Sequence, residues 1–284
     1  MTQSRWARRA ATDAAMTWLC GLAVAVTLVP LVSLLWMVVA RGASALSWSF
    51  LTSLPKPVGE VGGGVGNGII GSALLLGLAA TIGLPVGIGA GLFLAARGDG
   101  TAGRTVRFLA EILAGVPSVV AGLAVYALLV RPMHRFSALA GSLALAILMV
   151  PMLARGTEET VRMVPRDLFE ASLGLGVAEW KSGLLIVART AAGGITTAVC
   201  LALARAAGET APLLFTALGN QFWNLRPDQP TASLPVLIFN YAVSPYPDWQ
   251  KQAWGAALLL LVLVGVLNAA ARLATRGRFA GGGR

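Results

Sequence analysis

Six apolar runs divide this chain, separated by shorter polar stretches. They lie at about 16–40, 66–96, 108–130, 137–154, 190–218 and 253–271. A helix needs roughly 20 predominantly apolar residues to cross the hydrocarbon core of a bilayer. The pattern therefore predicts an all-α integral membrane protein with six transmembrane helices. A basic start followed by an apolar run also suits a secretory signal, but signal cores run about 7–15 residues. Met16–Ala40 carries no charge over its whole length and is read as the first span. The expected organisation is an amino-terminal segment 1–15, one membrane domain 16–271, and a basic tail 272–284. The largest polar gap is 155–189, and 219–252 forms an unusually aromatic loop.

Composition agrees with the pattern. The chain is 56% hydrophobic and 12% charged, with mean hydropathy +0.75. A soluble domain carries about 25% charged residues. The net charge of +10 comes from basic residues between the apolar runs, with no patch or arm suited to nucleic acid. Placing the amino terminus in the cytoplasm puts 15 Lys and Arg inside and six outside, with Arg205 within a span. Cytoplasmic loops carry the excess of such residues, so both termini and the 155–189 loop are expected inside.

Several chemistries are absent from the sequence. There is no G-x-x-x-x-G-K-[ST] phosphate loop, no nucleophile elbow and no metal-ligand spacing, so no catalytic residue, metal or cofactor is expected. His134 stands alone and reads as a loop residue, and Cys20 and Cys200 read as small buried hydrophobes. Gly66-Asn67-Gly68-Ile69-Ile70-Gly71 fits G-x-G-x-x-G, but no strand precedes it. Gly83, Gly87 and Gly91 share a helix face and predict close packing within the chain. Glu111 lies near enough to the start of its span to be solvated. Phe222, Trp223, Tyr241 and Trp249 give 219–252 an interfacial character, with a short helix at the bilayer surface.

At 165–189 the chain reads PRDLFEASLGLGVAEWKSGLLIVAR. Asp167–Leu173 predicts a short helix after Pro165. Gly174 and Gly176 supply permissive backbone for a turn, and Ala178–Val187 predicts a second helix. A rigid peg of this kind gives a soluble partner something to grip. The stretch resembles the EAA loop of ABC-importer permeases, E-A-A-x-x-x-G-x₉-I-x-L-P. Glu170, Ala171, Gly176 and Ile186 match at the family spacing, Ser172 replaces the second Ala, and Ala188-Arg189 replaces Leu-Pro. Leu203–Leu214, Asn220-Gln221-Phe222-Trp223, Leu234–Phe239 and Gly115-Val116-Pro117-Ser118 are similar to PstA-type permeases of phosphate importers.

The resemblance implies a type I, MetI-like permease fold and a multi-pass protein of the bacterial cytoplasmic membrane. It implies that Glu170, Ala171, Ser172, Gly176 and Ile186 dock into an ATP-hydrolysing subunit. It further implies a sister permease forming a heterodimer, two ATPase copies and an extracytoplasmic phosphate-binding protein. Sulfate or molybdate importers share the loop and are the nearest alternative. A self-sufficient secondary transporter is a more distant one, since the halves show no inverted repeat.

Arg205 and Glu209 stand four residues apart in the fifth run, where one helix would place them on one face. An Arg near a span centre costs about 2.5–3.5 kcal/mol on insertion scales. Two readings stay open: an internal ion pair, or an anion path in which the planar guanidinium fork of Arg205 meets phosphate and Glu209 orients it.

Overall fold

The computed structural model describes residues 3–60 and 62–279. Residues 1–2 of the expected amino-terminal segment and 280–284 of the expected tail lie outside the described residues. Among those described the chain is helical, with no strand.

Helix α1 (Gln3–Gly42) carries the first apolar run and continues back through the basic start. Nearly all of its described side chains are exposed, and it packs on the bundle chiefly through the last helix. There the Arg41 guanidinium lies 5.2 Å from the centre of the Trp254 ring. Gly42 allows this approach, since a Cβ there would come within 2.6 Å of the Trp254 carbonyl oxygen. Cys20 is exposed on α1, against the expectation of burial: it lies on a helix with almost no protein neighbours. Both cysteines are free. A short helix α2 (Trp48–Thr52) is capped by Ser47, whose hydroxyl accepts from the Phe50 N–H at 3.1 Å.

Helices α3 (Gly66–Arg97) and α6 (Ala138–Arg162) form the spine. The glycine face of α3 is what lets them meet. A Cβ at Gly87 would lie 2.5 Å from Leu153 Cβ, and one at Gly91 would lie 2.5 Å from Thr157 Cβ. Leu75, Leu145, Met149, Leu153 and Leu213 fill the core around this contact.

The third expected span is not one rod. It divides into α4 (Thr101–Gly115) and α5 (Ser118–Met133), bent by 102° at Val116-Pro117. Proline lacks an N–H and forces its predecessor toward extended backbone, and Val116 is extended at φ −69°, ψ 126°. Tyr126–Val130 winds as a π-helical turn within α5. His134 ends it in the left-handed region, at φ 51°. After α6 come α7 (Arg166–Gly174) and α8 (Glu179–Thr190), which meets α9 (Ala192–Ala207) at a 73° bend. The fifth expected span is also divided, because α9 ends at Ala207 and α10 (Ala211–Thr216) follows a break. Gly156 takes the Ala198 methyl of α9, and Gly122 of α5 takes Pro212 of α10.

The 219–252 loop enters the bundle more deeply than an interfacial segment. Thr231, Ala232, Ser233 and Leu234 are buried, and α11 (Leu234–Ala242) packs on α3 and on α12 (Pro247–Phe279). Gly71 makes the room, because a Cβ there would lie 2.0 Å from the Ala232 carbonyl oxygen. Among the described residues four helices are long and apolar enough to cross a membrane unbroken, and up to six spans result when each bent pair counts as one.

Candidate functional site

The 165–178 stretch folds as a compact knuckle. Helix α7 follows Pro165, and its end is closed by N–H bonds from Leu175 to Ala171 (3.1 Å), Gly176 to Leu173 (2.9 Å) and Val177 to Ser172 (3.1 Å). Gly176 takes φ +80°, a region that costs an ordinary side chain about 1–2 kcal/mol. Nothing lies within 4 Å of where a Gly176 Cβ would stand, so the demand for glycine there is conformational, not spatial.

Ser172 is buried. Its hydroxyl bonds to that of Ser182 in α8 and donates to the Phe169 carbonyl at 2.6 Å, which ties the two helices of the knuckle together. The serine that replaces the second alanine of the EAA pattern thus adds a polar link where alanine would add none. Glu170 and Ala171 are exposed on α7, and Ile186 is half-buried in the π-helical stretch Ser182–Val187. Met163, Leu173, Leu175, Trp180, Leu184 and Leu185 are exposed as well, with Leu175 at 86%. An exposed apolar cluster of this kind on a polar loop is a surface suited to contact with a protein or a membrane.

Arg205 and Glu209 do not share one helix. Arg205 belongs to the last turn of α9, whereas Glu209 lies in the break before α10. Gly208 and Pro212 account for the break, since glycine weakens the turn and proline offers no N–H to extend it. The two residues still approach, with Arg205 Nε 3.7 Å from Glu209 Oε1, beyond hydrogen-bond reach. The Arg205 side chain is 65% exposed and that of Glu209 17%. Arg205 shares its open face with Leu201 and Gly208, while Ala202 and Ala206 face the core.

A charge cluster emerges that the sequence reading passed over. Glu158, buried on α6, lies 2.6 Å from Arg107 of α4 and 3.0 Å from Arg162 of its own helix. Arg107 also donates to the Gly98 carbonyl at 3.4 Å. Nearby, Arg155 approaches Glu111 at 3.4 Å, so Glu111 is both half-exposed and paired. Arg97 at the end of α3 approaches Glu179 of α8 at 3.8 Å. The signal available in the sequence was Glu158 itself, an acid placed i+3 from Arg155 and i−4 from Arg162. Its partner Arg107 lies too far away in sequence for any local rule to find.

Residues 87–277 match the family model described as "Binding-protein-dependent transport system inner membrane component". The chain is 43% identical over 244 residues to the phosphate transport system permease protein PstA of Yersinia pestis, covering 86% of this chain and 83% of that one. It is 39% identical over 256 residues to PstA 1 of Mycobacterium tuberculosis strain CDC 1551 / Oshkosh, covering 87% and 83%. Among solved structures, an inward-facing form of the MetNI methionine ABC transporter superposes with TM-score 0.59 at 19% identity, over 75% of this chain and 93% of that one. That likeness bears on the fold.

Proposed function

Because the chain belongs to the family of binding-protein-dependent transport system inner membrane components, we propose that it is the permease subunit through which an ABC importer takes up inorganic phosphate. The observation that carries the substrate is the agreement with PstA proteins along more than four-fifths of both chains. In this reading the 165–189 knuckle is the coupling element. A separate ATPase dimer grips it through the exposed Leu175 and Trp180 and through the loop residues Glu170, Ala171, Ser172, Gly176 and Ile186, of which Ser172 and Gly176 also fix its shape. ATP hydrolysis belongs to that partner. An extracytoplasmic binding protein delivers phosphate to the opposite face. Both termini are cytoplasmic, as the 15-to-6 charge split favours. Single cysteines at Ser53 and Asn224 then react with an impermeant thiol reagent from outside and one at Glu179 does not; the inverted pattern overturns the orientation.

The exposure of Arg205 supports a sister permease. A guanidinium facing lipid costs about 2.5–3.5 kcal/mol, so this face of α9 needs a polar or protein neighbour. A heterodimer contact there places Arg205 between subunits, lining the anion path, with Glu209 orienting it and moderating its hold. Arg205→Lys keeps charge but loses the planar fork, and uptake of ³²P-phosphate falls. Arg205→Gln abolishes uptake while the complex still assembles. If the two residues are instead a purely structural ion pair, the double variant Arg205→Gln/Glu209→Gln restores uptake, because neither charge is left alone. Near-normal uptake by the double variant sinks the anion-path assignment. Sulfate or molybdate uptake by the wild-type complex, without phosphate uptake, sinks the substrate.

A further inference from the structure

Helix α4 has little apolar hold on the rest of the bundle. Of its 15 residues only Gly103 and Ala110 are buried, and Phe108, Leu109, Ile112 and Leu113 are exposed. In a bilayer, packing such side chains on protein gains little, because lipid tails are as apolar as the residues they would meet. The position of α4 is therefore set by its polar ties. Among the described residues these run to α6 and to the turn before α4: Arg107 donates to Glu158 at 2.6 Å and to the Gly98 carbonyl at 3.4 Å, and Glu111 pairs with Arg155 at 3.4 Å.

Glu158 is the centre of these ties. It is 7% exposed, and one oxygen, Oε1, meets both Arg107 of α4 and Arg162 of α6. Arg162 ends α6, and Pro165 opens the knuckle just beyond it. Both guanidinium groups lie over the same backbone, since a Cβ on Gly98 would stand 2.6 Å from Arg107 Nη2 and 3.0 Å from Arg162 Nη2. From the other side of the knuckle, Glu179 of α8 reaches Arg97 of the same turn at 3.8 Å. The 97–107 corner is thus held by the helix that enters the knuckle and by the helix that leaves it. At its other end α4 meets α5 at the 102° bend, where Gly115 has open space around it. A few residues at an element's end can absorb the dihedral change of a hinge. Beyond that bend, Gly122 of α5 takes Pro212, three residues after Glu209.

We propose that Glu158 is a positioning residue for transport: it ties α4 to the entry of the knuckle, so that a displacement of the knuckle is passed to α4 and changes the bend at Val116-Pro117. The proposal rests on the permease reading above. A buried carboxylate shared by two guanidinium groups suits the task. Coulomb attraction falls slowly with distance, so the tie survives a shift that would break a neutral hydrogen bond. Burial keeps salt from screening it.

The test uses the whole importer in proteoliposomes, with ³²P-phosphate uptake and ATP hydrolysis measured in the same vesicles. Glu158→Gln and Arg107→Gln hydrolyse ATP near the wild-type rate while uptake falls roughly tenfold, the scale of losing a hydrogen bond between charged groups. Arg107→Lys keeps the charge and retains most of the phosphate carried per ATP, and the exposed Glu159→Gln retains all of it. Uptake and hydrolysis lowered in the same proportion mean a purely structural pin and overturn the proposal. So does a wild-type ratio in both glutamine variants, and so does loss of assembly in both. The motion is read separately, from the distance between spin labels at the exposed positions Leu109→Cys on α4 and Leu128→Cys on α5, with Cys20→Ser and Cys200→Ser. ATP shifts that distance in the importer with Glu158 intact and not in Glu158→Gln. No shift with Glu158 intact, or an equal shift in both, overturns the proposal. Failure of the underlying reading looks different: the wild-type importer itself carries no phosphate. The ratio is then measured on the oxyanion it does carry, and the label distance is judged as before.

Discussion

The two ends of the bundle are held together by different chemistry. At the coupling-loop end the ties are ionic: Arg107 and Arg162 on Glu158, Arg155 on Glu111, Arg97 on Glu179. At the other end the more buried ties are neutral, while the ion pairs of Asp228 with Arg135 and Arg226 stay partly exposed. Asn67 Nδ2 donates to the Asn220 carbonyl at 2.6 Å, and Asn220 and Asn224 donate to the Pro230 carbonyl at 3.1 and 2.9 Å. The N–H groups of Ala138 and Leu139 donate to the Gln229 and Pro227 carbonyls, both at 2.9 Å. Coulomb attraction falls slowly with distance, so partly exposed ion pairs tolerate a sliding of helices. Buried neutral hydrogen bonds are short and directional, so displacement breaks them. The comparison teaches a division of labour: the end that carries the 165–189 knuckle is built to shift, and the opposite end is built to hold its shape.

The sharpest way to break this comparison is to crowd the rigid end. Gly71→Ala pushes a methyl onto the Ala232 backbone, and the entering segment has no slack to move. We expect a loss of about 3 kcal/mol, the upper part of the overpacking range, read as a lowered thermal midpoint of the purified complex. Gly77→Ala, on the same helix with nothing within 4 Å, is neutral or gains up to about 1 kcal/mol from helix propensity. Equal losses at both positions would show that the entering segment is not the constraint.

The next largest effect belongs to the ionic end. Glu158→Gln keeps the shape but leaves two arginines without their shared carboxylate. The loss is on the order of 2 kcal/mol, less than for a fully buried pair because both arginines are partly exposed. Glu159→Gln, exposed on the next position, serves as the control and changes little. A matching loss in both would reduce the cluster to ordinary surface charge.

Gly176 sharpens the comparison from the loop itself, where the constraint is a dihedral angle and not space. Gly176→Asn, a side chain that tolerates the left-handed region, costs about 1 kcal/mol or less and keeps the ATPase attached. Gly176→Val distorts the turn, and we expect loss of ATPase co-purification or of coupled uptake. Normal uptake and co-purification in the valine variant would remove the knuckle from the mechanism.

The smallest effect is one of pH. The hydrogen bond from Arg226, aided by its charge and that of Arg135, holds the Asp228 carboxyl below its ordinary range. A carboxyl whose pKa is lower in the folded state stabilises the fold above the ordinary carboxylate pKa. That contribution disappears as pH falls through the lowered value. Arg226→Gln should therefore slightly flatten the acid limb of the stability profile, and an unchanged limb would mean that the pair contributes nothing.

The sequence by itself determined the membrane class, the apolar helices and the position of the 165–178 knuckle. Runs such as 16–40 and 66–96 declare themselves because hydropathy adds up over neighbours in the chain. The knuckle helices were legible for a related reason, since Pro165, Gly174 and Gly176 act on their own backbone. The tertiary structure alone decided three other things. It bent the third span by 102°, where hydropathy has magnitude but no direction. It carried α6 to Arg162 and buried Glu158 there, because Arg107 arrives from another helix to meet it. It drew 231–234 into the bundle, where Ser72 accepts from the Leu234 N–H, Asn67 holds the Asn220 that bonds Pro230, and Gly71 leaves the segment room. Each of these depends on a partner far away in sequence. Apolarity is a property of a stretch, whereas the satisfaction of a buried polar group is a property of whatever the fold brings beside it.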